Sequence, residues 1–237
     1  MNIRLLFALV PVLVLNLFFA LEAQAQAPKS PSGVELTVGF DGIAYFGDYY
    51  ERNSSLLRVH PGVNFQIQRP KDKGLGVMFS LGYGQFADQY DQPLPVVDQD
   101  GTALTFVATS LFYGDLRLVY RLPIGEKFSP YVSVGAGLTH FRPEDQNGRP
   151  LINRTSSRPG GESYNATIPQ LPLSLGFRYR LTKLMWLGAG YSYRFVPSDY
   201  LDNLGVDGAR DGFDALHSLT LFATFMIGVE EGGDIER

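Results

Sequence analysis

The sequence predicts an all-β chain, an eight-stranded antiparallel up-and-down transmembrane β-barrel. Three observations predict it. Apolar residues alternate with Gly, Ser, Thr and charges beyond residue 33, such segments are even in number, and the connections between them alternate in length.

The segments fall at about 33–46, 55–69, 75–88, 104–122, 129–142, 167–181, 185–197 and 215–229. Glu35 and Asp41 share one parity of the first segment, and Arg58 and His60 one parity of the second. Gly76, Gly82 and Gly84 share a face of the third; Asp115, Arg117 and Arg121 share a face of the fourth. In the fifth, Val132, Val134, Ala136 and Leu138 oppose Ser133, Gly135, Gly137 and Thr139. The sixth places Arg178 and Arg180 together. In the seventh, Leu187, Ala189, Tyr191, Tyr193 and Phe195 alternate with Gly188, Gly190, Ser192 and Arg194. In the last, Leu219, Leu221, Ala223, Phe225 and Ile227 oppose Ser218, Thr220, Phe222, Thr224 and Met226. A helix would repeat every 3.6 residues, so none of these segments is helical.

Short turns at 69–74, 123–128 and 182–184 alternate with longer polar connections at 47–54, 89–103, 143–166 and 198–214. Short inner turns opposite longer outer loops are the topology of a membrane barrel. A soluble sandwich has less reason for that strict alternation. The segments also reach the roughly 9–11 residues that a tilted strand needs to cross hydrocarbon.

Residues 1–27 read as a secretory signal. Arg4 precedes the apolar run Leu5 to Ala20, and Ala23-Gln24-Ala25 and Ala25-Gln26-Ala27 both fit small-residue cleavage, after Ala25 or Ala27. The alternative is a retained anchor, but no stop-transfer pattern follows. The expected organisation is a signal at 1–27, a barrel at 28–229 and a short periplasmic tail at 230–237. After cleavage no apolar run reaches the ~20 residues of a spanning helix, so membrane residence requires a barrel.

The net charge is −4 and no Lys/Arg cluster stands out, which gives no electrostatic reason to bind nucleic acid. Absence of cysteine excludes disulfides, thiolate metal sites, a Cys nucleophile and a lipidated N-terminal Cys.

Aromatics near the segment ends suggest two interfacial girdles. Phe46, Tyr49, Phe106, Phe141 and Phe195 would mark the outer rim, and Phe65, Tyr120, Tyr131, Tyr179, Trp186 and Phe225 the periplasmic one. Pro61, Pro169 and Pro172 predict bulges or shifted boundaries, since proline donates nothing to a ladder.

If the apolar parity meets lipid, the other faces the lumen and should be polar or small. It carries a candidate ionic network of Glu35, Asp41, Arg58, His60, Asp115, Arg117, Arg121, Arg178, Arg180 and Arg194. Eight strands enclose a space only wide enough for side chains to fill, so these groups should interlock rather than line a diffusion pore. Glycines of the same parity should make room for the arginines. The functional alternative is a gated ion path with a Glu35 or Asp115 to Arg pairing as the gate; the plainer one is a self-satisfied polar core.

No catalytic constellation emerges around His60, His140 or His217, because His217 and its neighbour Ser218 should point to opposite faces. The acidic segment from Asp199 to Asp214 could offer oxygen ligands to calcium, but its spacing fits a solvated loop better than a calcium loop. Glycosylation-type triplets at Asn53, Asn153 and Asn165 lie in or beside the predicted outer connections and are read as coincidental. No cofactor, metal or enzyme activity is expected.

Taken together, the signal, the eight alternating segments and the loop lengths resemble the small outer-membrane barrels of the OmpA/OmpX type. Only a short tail follows the last strand, so no peptidoglycan-binding domain, and no anchoring to the cell wall, is implied. Tyr45-Phe46-Gly47-Asp48 and Ser198-Asp199-Tyr200-Leu201-Asp202-Asn203 also look like features of barrels in bacteria that use the type IX secretion system. That likeness implies a structural subunit contacting periplasmic ring partners. The expected role is a non-enzymatic outer-membrane barrel with a structural, surface-interaction or secretion-complex function. A small gated channel comes second and a lipid A-modifying enzyme third. Expected partners are outer-membrane lipid, lipopolysaccharide and the barrel assembly machinery.

Overall fold

The computed structural model describes residues 33–46, 59–71, 73–89, 106–153, 163–198, 200–201 and 214–228. It contains β1 (Val34–Phe46), β2 (His60–Gln68), β3 (Gly74–Gln89), β4 (Phe106–Arg121), β5 (Phe128–Glu144), β6 (Thr167–Arg180), β7 (Met185–Val196) and β8 (Asp214–Ile227). Each strand pairs antiparallel with the next, and β8 closes on β1 from Val34↔Ile227 to Phe46↔Ala215. Closure satisfies every ladder edge within the wall, which a lipid environment demands.

Connections at 69–73, 122–127 and 181–184 lie at the end where β1 starts and β8 finishes; 47–59, 90–105, 145–166 and 197–213 belong to the other end. The β4–β5 turn is tight, with Ile124 N–H on the Phe128 carbonyl at 2.7 Å and Leu122 N–H on the Pro130 carbonyl at 3.0 Å. Gly125 sits there at φ 67°, a conformation that a side chain would strain.

The expected bulges at the prolines do not occur. Pro61 pairs with Gly42, Pro169 with Leu138 and Pro172 with Arg194, each within a single unbroken register. The β5–β6 ladder is interrupted only between its Val134↔Leu173 and Gly137↔Gln170 pairs, beside Pro172, and resumes in the same register. A missing donor therefore costs a local pairing and not a residue of offset, because long neighbouring ladders fix the alignment.

The wall changes character along its height. In the lower part, outward residues are apolar and exposed: Val34, Leu36, Val38 and Phe40 on β1, Leu171, Leu173, Leu175 and Phe177 on β6, Leu219 and Leu221 on β8. Toward the long-loop end they become polar, with Gln85, Ser110, His140, Arg142, Thr167 and His217. Inward residues change the opposite way. β5 shows both reversals, because Ser129, Ser133 and Thr139 face in below while Phe141 faces in above, beside outward His140 and Arg142.

Oil outside favours polar residues inside, and water outside favours an apolar core. The barrel thus spans the hydrocarbon with its lower part and projects beyond it with its upper part. Leu175→Arg, in the middle of the apolar belt, is expected to cost about 2–4 kcal/mol in unfolding titrations of the vesicle-embedded protein. Gln85→Arg, on the projecting wall, should cost at most about 1 kcal/mol. Equal costs would place the belt elsewhere.

Candidate functional site

The interior is filled in layers. At the periplasmic end Glu35 of β1 is completely buried and receives Arg178 Nη1 of β6 on both carboxylate oxygens at 3.1 Å. Arg121 Nη2 of β4 lies 3.6 Å from the same carboxylate. Gln68 of β2 donates to Glu35 and accepts from Arg121, so its amide bridges the pair. The β2–β3 turn folds beneath, where the Lys71 carbonyl accepts from Arg121 at 2.9 Å and Arg178 at 3.4 Å. Two guanidinium groups lie over the ring of Trp186, Arg178 at 4.2 Å and Arg180 at 4.3 Å from its centre.

Above lies the Asp115–Arg117 pair. The two residues are adjacent on one face of β4, and Arg117 donates to Asp115 from Nε and from Nη2, the latter at 2.9 Å. Its third nitrogen reaches Ser174 Oγ across the lumen at 2.8 Å. Gln170 donates to Asp115 at 3.1 Å and accepts from Thr139 at 2.6 Å.

The next layer centres on Asp41. It accepts from Asn64 Nδ2 at 2.8 Å, from the Tyr113 hydroxyl at 2.8 Å and from Thr220. Arg194 lies 4.0 Å over the Tyr113 ring and donates to Ser218 Oγ at 3.1 Å. Gly82 faces the ring of Tyr113, and a Cβ there would overlap it, so only glycine lets the ring cross the lumen.

The outermost layer is apolar. Ile43, Phe86, Leu111, Phe141, Ile168, Val196, Leu201 and Leu216 form one cluster. Tyr45 stacks on Phe86 at 4.3 Å, and Phe141, Tyr164 and Tyr200 stack in series at 5.5 and 4.9 Å. Thr109 Oγ1 donates to the Leu201 carbonyl at 2.7 Å, which ties the segment after β7 over the lumen.

The structure therefore brings Glu35, Arg121 and Arg178 into one cluster, Asp115 and Arg117 into a second, and Asp41 and Arg194 into the same layer without an ion pair. Arg180 is half-buried at the periplasmic mouth. His60 accepts from the Ala87 amide at 3.4 Å and takes no part in the clusters. Arg58 and the acidic loop side chains fall outside the described residues.

Several expectations need correction. Tyr131, Trp186 and Phe141 belong to neither girdle, because their parity turns them inward; Trp186 is 3% exposed and Phe141 fully buried. The inward parity is not polar throughout, since its outer end is the apolar cluster. The lumen glycines yield space to rings as well as to arginines, Gly188 to Phe222 and Gly190 to Tyr131, while Gly76 and Gly135 lie beside Arg121 and Arg117. Asn64, Gln68 and Gln170 share the inward parity, but a search for charges passes over neutral amides.

His217 and Ser218 lie on opposite faces: Ser218 is buried against Arg194, while His217 bonds the Tyr191 hydroxyl on the outer wall. His140 bonds Thr167 at 2.9 Å, also on the outer wall. Among the described residues no three His or acidic groups gather as metal ligands.

The family model for the outer membrane protein beta-barrel domain matches residues 12–221. The chain belongs to that family. It is an outer-membrane barrel of the small OmpA/OmpX type and resides in the outer membrane. Among solved structures the barrel is similar to Neisserial surface protein A, at 12% identity with a TM-score of 0.51, covering 83% of this chain and 99% of that one. It is also similar to Ail, the attachment invasion locus protein of Yersinia pestis, at 15% identity with a TM-score of 0.47, covering 82% and 98%. No curated protein matches the chain. At these identities the likeness concerns the fold.

Proposed function

We propose that this outer-membrane barrel is a non-enzymatic structural or surface-interaction protein whose lumen does not conduct. The observation that carries the reading is a lumen filled at both ends, by the Glu35–Arg178–Trp186 layer below and the Phe141 cluster above. A path through it would have to part a shared carboxylate and then an apolar plug, and neither layer offers an ion a hydrated route. The long connections at the outer end are the surface available to outside molecules, and the short turns are available to periplasmic partners. A secretion-complex subunit is the finer form of this role, supported by the two motifs read from the sequence. Residues 1–27 are, in the same proposal, a cleaved export signal.

Planar-bilayer recordings on the purified barrel are expected to stay silent; steady discrete conductance would overturn the non-conducting reading. Lipopolysaccharide incubated with the protein should keep its acyl chains by mass analysis, and a lost chain would overturn the non-enzymatic one. Affinity capture from detergent-solubilised outer membrane should recover a stoichiometric periplasmic partner if the secretion-complex form is right.

A further inference from the structure

Midway up the lumen, between the Asp115 and Asp41 layers, lies a cavity of about 20 Å³. A space of at least ~10–15 Å³ is needed to seat one water, so this one holds a single body of about that size and excludes phosphate, sulfate or a carboxylate ligand. Its lining includes Arg117 and Arg194, and no Asp or Glu.

Arg194 is the unusual member. It is 4% exposed, its Nε has no partner, and it makes one hydrogen bond, to a neutral serine. Its nearest layer-mate, Asp41, is committed to Asn64, Tyr113 and Thr220. Arg117, by contrast, is neutralised by Asp115. A buried guanidinium without a carboxylate is costly, and a cavity beside it is where compensation can enter.

The hydroxyls around the cavity are arranged to donate. Ser174 accepts from Arg117 and donates to Ser192 at 2.9 Å, which leaves the Ser192 hydrogen free to turn inward. Ser133 Oγ lines the same space with no partner. In the three ionic layers of the lumen the buried Arg117, Arg121, Arg178 and Arg194 face Glu35, Asp41 and Asp115, and the further buried acid, Asp145, lies beyond the end of β5, away from Arg194.

We propose that this cavity is a buried site for one monatomic anion, a halide such as chloride, held by Arg194 and Arg117 with the Ser192 and Ser133 hydroxyls. Size selects a monatomic occupant, a lining with two arginines and no carboxylate selects a negative one, and a single charge balances Arg194. The anion is a structural ligand of a closed lumen and not a permeant ion. The inference does not rest on the role given to the protein above.

Crystals of the full barrel grown in bromide test it directly. An anomalous peak in the cavity is expected, within hydrogen-bond reach of Arg194. In detergent, the unfolding midpoint of the same protein should rise with the logarithm of chloride or bromide concentration at constant ionic strength, with gluconate as the balancing anion too large to enter. Arg194→Met should abolish that dependence. Should the variant fail to fold, Ser192→Ala keeps all charges and should weaken halide binding about tenfold or more.

Water alone in the cavity of bromide-grown crystals would overturn the proposal. So would a bromide peak with a midpoint indifferent to halide, which is binding at crystal concentration only. A halide dependence that Arg194→Met or Ser192→Ala leaves intact would place the effect elsewhere and overturn it as well.

Discussion

Glu35→Gln is expected to destabilise the barrel by about 3–5 kcal/mol, although it changes one atom of a side chain at the end of the lumen. Glu35 is fully buried and is the carboxylate shared by Arg178 and Arg121. Its replacement removes that charge while both guanidinium groups stay out of water, and the cost is that of the charges left behind. The double variant Glu35→Gln, Arg178→Met should recover part of the loss, because taking away a whole buried pair is far less costly than taking half.

Urea titration of the barrel in detergent reads the energy. Emission of the single tryptophan reads the place, since Trp186 stacks on Arg178. A loss below about 1 kcal/mol would mean that water already solvates this layer, which no buried charge pair tolerates without a large penalty on breaking.

Phe141→Ala is expected to cost about 3–5 kcal/mol, the range for emptying a large aromatic from a packed core. Phe141 is completely buried and stacks on Tyr164 at 5.5 Å, which in turn stacks on Tyr200 at 4.9 Å. The void would loosen the segments around Tyr164 and Tyr200 that fold over the lumen. External protease on intact cells should then cut the outer connections faster, while the lipid-embedded wall stays protected. An unchanged midpoint would mean that the outer lumen is wet and polar and not an apolar plug.

The strand pattern was legible because lipid and lumen impose opposite demands on successive residues, and β5 states both from Ser129 to Leu138. Strand limits follow closely: the segment read at 185–197 is Met185–Val196, and that at 167–181 is Thr167–Arg180. Parity also groups Glu35, Asp41, Asp115, Arg117, Arg121, Arg178 and Arg194, which are buried, whereas His60 joins no cluster and Arg58 lies outside the described residues. The partners within that group were not legible. Arg178 meets Glu35 across 143 positions of sequence, and only the closure of β8 on β1, which leaves β6 three strands away around the wall, brings them together. The reversal at Phe141 was visible in Thr139-His140-Phe141-Arg142, yet reading it requires knowing where the bilayer stops. Trp186 and Tyr131 resemble girdle residues by position alone, and their direction decides otherwise.

Sequence alone determined that the chain is an up-and-down barrel, how many strands it has and that its strands alternate between an apolar and a polar or small parity, because alternation is a local response to two solvents. Tertiary structure decided which buried charges share a partner, that aromatic rings cross the lumen over glycines such as Gly82, and that the outer end closes on an apolar core. Those outcomes depend on shear and curvature, which set the heights at which distant strands meet, and no single segment carries that information.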